Sequence, residues 1–63
     1  MSEPELLTVK ETAALMRLDR NTVYELVRTN QIPHVRLGRS IRIPRQALLQ
    51  HLERAALEAV SGA

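Results

Sequence analysis

Two helix-start signals stand eleven residues apart in this chain, at Thr8 and Asp19, and no other feature constrains the fold as much. In the run Leu6-Leu7-Thr8-Val9-Lys10-Glu11, which reads as the opening of a helix, Thr8 and Glu11 make a capping box. Val9, Thr12, Ala13 and Met16 then fall on one stripe, so this first helix is about two turns long with one face to bury. Asp19 caps a second helix, and Leu18 before it is placed to staple against Val23. Val23, Leu26 and Val27 form its buried stripe, with Asn21, Tyr24, Glu25 and Arg28 on the other face. The helix should stop near Thr29-Asn30, because Asn tolerates the left-handed cap conformation and Pro33 lies just beyond. Two short helices joined by about three residues, Arg17 to Asp19, make a helix-turn-helix. Counted from Val9, the fifth position is the small Ala13, and the tenth, fifteenth and eighteenth are the apolar Leu18, Val23 and Leu26 that an angled contact needs. The ninth is Arg17, where a left-handed backbone would cost about 1 kcal/mol or more.

Residues 35–43 alternate apolar and basic on both sides of Gly38, which predicts a hairpin. Parity favours a three-residue loop, pairing Leu37 with Ile41, Val35 with Ile43 and Arg36 with Arg42, so that every apolar residue shares one face. In that register Arg36 and Arg42 oppose one another with Arg39 at the tip. Like charges opposed across strands are destabilising, unless an external polyanion neutralises them. Pro44 ends the strand and leads into a final helix. There Leu48, Leu49, Leu52, Ala55, Ala56, Ala59 and Val60 cover one stripe, with Leu57 alone on the far side. The expected fold is α+β, mainly helical: a winged helix-turn-helix over residues 6–60, with residues 1–5 and 61–63 as frayed ends.

Composition excludes most other classes. A chain of 63 residues buries only about 60% of the surface its unfolded form exposes, leaving no room for a walled-off catalytic pocket. No nucleophile–base pair, phosphate loop or metal constellation stands out, so neither enzyme activity nor a cofactor is expected. With Cys 0 and His 2, disulfides are impossible and a structural zinc site is not expected; His34 and His51 read as ordinary edge residues. No apolar run reaches spanning length, so no membrane segment or signal peptide is expected, and the expected location is cytoplasmic.

The net charge of +2 conceals a sharper pattern. Residues 17–45 carry Arg17, Arg20, Arg28, Arg36, Arg39, Arg42 and Arg45 against only Asp19 and Glu25, and both flanking blocks are net acidic. From Leu26 to Leu52 there is no acid at all. Lys10 and eight arginines make up the basic residues, and arginine is the side chain suited to forked contact with phosphate and guanine. A helix-turn-helix followed by a basic hairpin is a winged-helix arrangement for duplex DNA.

Leu6-Leu7-Thr8-Val9-Lys10-Glu11, Asn21-Thr22-Val23-Tyr24, Ile32-Pro33-His34-Val35-Arg36-Leu37-Gly38-Arg39 and Ile41-Arg42-Ile43-Pro44-Arg45 resemble the excisionase-family DNA-binding domain. That family is a winged-helix relative of the MerR-type DNA-binding domains, and the similarity covers about residues 6–53. The family commonly has glycine where Arg17 and Asn30 stand here. The resemblance implies double-stranded DNA as the partner, in a recombination directionality factor or a small transcriptional regulator. It further implies copies lined up on repeated sites, bent DNA and an integrase as protein partner.

Roles follow for individual residues. Arg20 and Asn21, in the first turn of the second helix, point deepest into the groove, where Arg can fork to guanine and Asn to adenine. Thr22 and Tyr24 offer hydroxyls to phosphate, and Arg28 continues the same face. Glu25 is expected to pair with Arg28. Arg36, Arg39, Ser40 and Arg42 are the wing contacts, and Thr8 with Lys10 opens a helix whose amide end can meet a phosphate. The wing and the surplus stripe of the last helix would serve self-association. In the competing reading, a protein-interaction module, that last helix is the functional surface and the arginines only aid solubility.

Overall fold

The computed structural model describes residues 5–61. Among them run β1 (Leu6–Leu7), α1 (Val9–Met16), α2 (Arg20–Arg28), β2 (Val35–Leu37), β3 (Ser40–Pro44) and α3 (Arg45–Ser61). This is a mainly helical α+β winged helix-turn-helix. Of the ends expected to fray, residues 1–4 and 62–63 lie outside the described residues. Glu5 is held, because its carbonyl accepts the Arg45 N–H at 2.9 Å.

Both short helices start and stop by local chemistry. The Thr8 hydroxyl accepts the Glu11 N–H at 3.0 Å, and the Glu11 carboxylate accepts the Thr8 N–H at 2.9 Å, closing the capping box. α1 ends where Arg17 turns left-handed, at φ 60° and ψ 43°. The Arg17 N–H then bonds the Ala14 carbonyl and the Leu18 N–H reaches back to Ala13, the two bonds of a Schellman cap. α2 ends in the same way. Asn30 takes φ 58°, its N–H bonds Val27, and the Gln31 N–H bonds Leu26 at 2.8 Å. Arg17 and Asn30 thus do the conformational work that glycine commonly does, at a cost of roughly 1–2 kcal/mol for the arginine.

Eight apolar residues from every part of the chain meet in one core: Leu7, Val9, Ala13, Val23, Val27, Ile32, Ile43 and Leu48. Met16, Leu26, Ile41 and Leu52 pack around them, half-buried. Leu18 stays 39% exposed, so of the apolar turn positions it is Val23 and Leu26 that pack most closely. Thr12 is fully buried in α1, and its hydroxyl has no hydrogen-bond partner.

Two expectations are corrected. Leu6 and Leu7 do not open α1; they form a strand, pairing Leu6 with Pro44 and Leu7 with Ile43 in a sheet of order β1-β3-β2. Pro44 has no N–H to donate, and the Arg45–Glu5 bond continues the ladder past it. Burial of Leu7 beside Ile43 stabilises a strand too short to show any alternation.

The second correction is the hairpin register. The loop has two residues, Gly38 and Arg39, and the pairs are Val35–Arg42, Arg36–Ile41 and Leu37–Ser40. The parity argument required β2 to bury an apolar face, but all three of its residues are exposed. With no burial to decide, the turn decides. Gly38 sits at φ 65° and Arg39 is not left-handed, as a type II′ turn asks of its two central residues. Arg36 and Arg42 therefore lie on opposite faces of the wing, and their mutual repulsion is relieved.

The final helix also divides. Leu48 is fully buried and Leu52 half-buried, whereas every residue from Glu53 to Val60 is exposed. No described helix is long and apolar enough to cross a membrane.

Candidate nucleic-acid interface

The strongest gathering of charge lies where three elements converge. A surface recess of about 320 Å³ is lined by Thr8 and Lys10 at the start of α1, Arg20 and Tyr24 on α2, and Arg39, Ser40 and Arg42 on the wing. Val9 and Ile41 complete the lining. Four cations from three elements face one hollow, and no carboxylate lines it. The fold imposes this proximity. Pairing of β1 with β3 sets the start of α1 beside the wing, and the Schellman turn at Arg17 swings α2 round so that its first turn meets both.

Local bonds hold one of the recess cations and the start of α2. The Arg42 guanidinium donates to the Ile41 carbonyl at 2.9 Å, which holds its half-buried side chain along the wing. Tyr24 is half exposed, its ring over the recess rather than in the core. On α2 the Thr22 hydroxyl donates to the Asp19 carboxylate. That bond is the main reason the Asp19 carboxyl lies below its usual range, against an opposing cost of desolvation. Asp19 occupies the cap position, but its side chain engages the Thr22 hydroxyl rather than a backbone N–H.

The residues expected to meet DNA are brought together only in part. Thr8, Lys10, Arg20, Tyr24, Arg39, Ser40 and Arg42 come together in the recess. Asn21 and Thr22 stand beside it on the exposed first turn of α2. Arg28, two turns further along, is paired with Glu25 as expected, with its Nε 3.3 Å from one carboxylate oxygen and its Nη2 on the other. Both partners are largely exposed, so the pair is worth no more than about 1 kcal/mol. Arg36 is exposed on the wing face opposite to Arg42 and does not join the recess. Val9 and Ile41 were missed as lining residues because each sits on an apolar stripe that reads as core.

The outward face of the sheet is apolar where a solvated surface would be expected. Leu6, Val35 and Leu37 are 43%, 38% and 54% exposed, and pairing places them on the same side as Arg42 and Ser40. Among the described residues no cluster of three or more potential metal ligands occurs.

Comparison with known proteins agrees with this surface. Residues 6–56 match the family described as a helix-turn-helix domain. Two Mycobacterium tuberculosis sequences, from strains CDC 1551 and H37Rv and named provisionally as DNA-binding proteins, are 45% identical over 58 residues, covering 92% of this chain and 74% of theirs. An excisionase of Streptomyces ambofaciens is 33% identical over 57 residues, covering 90% of this chain and 92% of its own. A Saccharopolyspora erythraea protein, also named provisionally as an excisionase, is 49% identical over 43 residues, or 68% of this chain and 44% of its own. No solved structure matches the chain.

Proposed function

The chain belongs to the excisionase family of helix-turn-helix DNA-binding domains, and from that premise we propose that it reads double-stranded DNA with α2 in the major groove and the wing along the backbone into the minor groove. The observation that carries this reading is the acid-free recess where Lys10, Arg20, Arg39 and Arg42 converge. A phosphate there meets Lys10 from α1 and Arg42 from the wing, the latter already held along its strand by the Ile41 carbonyl.

Arg20 and Asn21, exposed on the first turn of α2, are the base-reading pair. Tyr24 and Thr8 hold phosphate oxygens through their hydroxyls, while Thr22 does so only by sharing its hydroxyl with Asp19. Arg28 exchanges Glu25 for a phosphate at small cost, since the exposed pair is weak. Arg39 at the wing tip enters the minor groove, with Ser40 and Arg42 on one flank and Arg36 on the other.

At the level of process, the protein acts as an excisionase: it occupies repeated sites cooperatively, bends the DNA and presents it to an integrase. The excisionase names of its relatives support this. So does the uncovered apolar surface of the outer sheet face and the end of α3, where Leu57 and Val60 are 66% and 77% exposed. A neighbouring copy would have something to pack on. The second reading, a small transcriptional regulator using the same contacts, draws on the Mycobacterium relatives, which carry a DNA-binding name alone. Both readings act by binding, not by catalysis.

Reversing charge at Lys10 and Arg42 together tests the binding mode. Each phosphate contact contributes about 0.9 to the log–log salt slope, or about eightfold in affinity at about 0.1 M salt. The double variant should therefore lose at least about 60-fold in affinity while its circular dichroism is unchanged; unaltered binding would refute the interface. A footprint that grows in single-repeat steps with protein concentration supports cooperative occupancy, and saturation at one isolated site opposes it.

A further inference from the structure

A second and larger recess, of about 460 Å³, lies at the other end of α2. Its lining comes from the connection after α2, including Asn30 and His34, and from α3, including Ala47, Gln50, His51 and Arg54. These α3 positions follow the spacing i, i+3, i+4, i+7, so they form one stripe on one face. Nothing in the DNA contacts described above uses them. We propose that this recess holds a phosphate of the DNA strand opposite the one met at the wing recess, with Arg54, Gln50 and His51 as donors; the proposal rests on the DNA-binding reading.

Three observations converge. First, no carboxylate lines the recess; its charged or titratable groups are His34 from the connection and His51 and Arg54 from α3. The carboxylates of α3, Glu53 and Glu58, are not part of the lining. Second, the two recesses flank α2, one reaching Arg20 and the other Asn30. The 9 residues of α2 between them rise about 13 Å. The major groove is about 12 Å wide, so a helix lying in it brings its two ends towards different strands. Third, the tautomer of His34 is fixed. Its Nδ1 lies 3.0 Å from the Ile32 carbonyl, which can only accept, so Nδ1 carries the proton. The ring is thereby anchored as a wall of the recess and leaves the phosphate to Arg54, Gln50 and His51.

The test uses the whole chain and a mixed-sequence DNA duplex, since phosphate contacts are independent of sequence. Affinity is measured by fluorescence anisotropy across about 0.05 to 0.2 M salt. Arg54→Gln should lower the salt slope by about 0.9 and weaken binding about eightfold at about 0.1 M salt. Adding His51→Gln should weaken binding further with little change of slope. Both substitutions fall at exposed positions of α3, so folding is preserved and is checked by circular dichroism. If the double variant R54Q/H51Q keeps wild-type affinity and slope, the second phosphate site is refuted and the wing reading stands. If wild type binds no duplex at low salt, both fall.

Discussion

In the helix pair, position is set by what is buried; in the wing, it is set by how the backbone can turn. Val23 and Val27 on α2 are almost wholly removed from water, and a shift of one residue along either helix would expose them. β2 buries nothing, so a one-residue slip of the hairpin would leave the core untouched. Gly38, at φ 65°, fixes the register that burial does not. A scaffold determined from inside thus carries a basic arm determined from its own loop, and the arm can vary without endangering the scaffold.

The largest expected effect lies on the scaffold side of this comparison. Leu48 joins α3 to the sheet and is fully buried. Leu48→Ala should cost about 2–5 kcal/mol, against the 3–5 kcal/mol or so that a core of this size supplies. The variant should be mostly unfolded at room temperature, with the helix pair and wing lost together in a single denaturant transition. Separate transitions for wing and helices would break the picture of one core serving both.

The wing side is probed by Gly38→Ala. A Cβ at Gly38 meets nothing within 4 Å, so the only penalty is the left-handed backbone, about 1–2 kcal/mol. Amide exchange in β2 and β3 should accelerate while that of α1 and α2 hardly changes, and DNA affinity should fall because Arg39 loses its fixed direction. Equal acceleration in the helices would show that the wing is part of the scaffold after all.

The same contrast explains what could be read from the sequence. The capping box at Thr8 and Glu11, the stops at Arg17 and Asn30, and the stripes of α1 and α2 were legible because each rests on residues within one or two turns of each other. The gathering of Lys10, Arg20, Arg39 and Arg42 followed from the motif, once the helices and hairpin were in order. β1 was not legible. Two leucines before a helix cap read equally as the lead-in of that helix, and only Ile43, far along the chain, makes them a strand. The hairpin register failed for a different reason: the alternation of Val35, Leu37, Ile41 and Ile43 suggests one buried face, yet only Ile43 is buried and Ile41 half-buried. The recess of His34, His51 and Arg54 joins segments whose spacing in the sequence says nothing of their meeting.

Within the helix pair, Thr12→Val sharpens the claim that burial rules there. The Thr12 hydroxyl is fully buried without a partner, so it bears the cost of desolvation with no bond in return. Valine keeps the branched shape and removes the polar atom. The variant should gain about 1 kcal/mol, read as a higher denaturant midpoint at unchanged slope.

The smallest effect belongs to Asp19, at the joint between the two helices, where neither burial nor a turn dominates. Its carboxyl is held below the usual range chiefly by the Thr22 hydroxyl. A carboxyl whose pKa is lower in the folded state binds its proton more readily when unfolded, so its contribution is fully present above the ordinary value of about 3.9 and is lost as the pH falls through the folded value. Wild type should therefore lose slightly more of its melting temperature between about pH 5 and pH 2 than Asp19→Asn, which can still accept from Thr22 but does not titrate. Identical acid profiles for the two would mean that the bond to Thr22 forms equally in the unfolded chain. The start of α2 would then be set by packing of Val23 alone, and burial would govern the helix pair down to its caps.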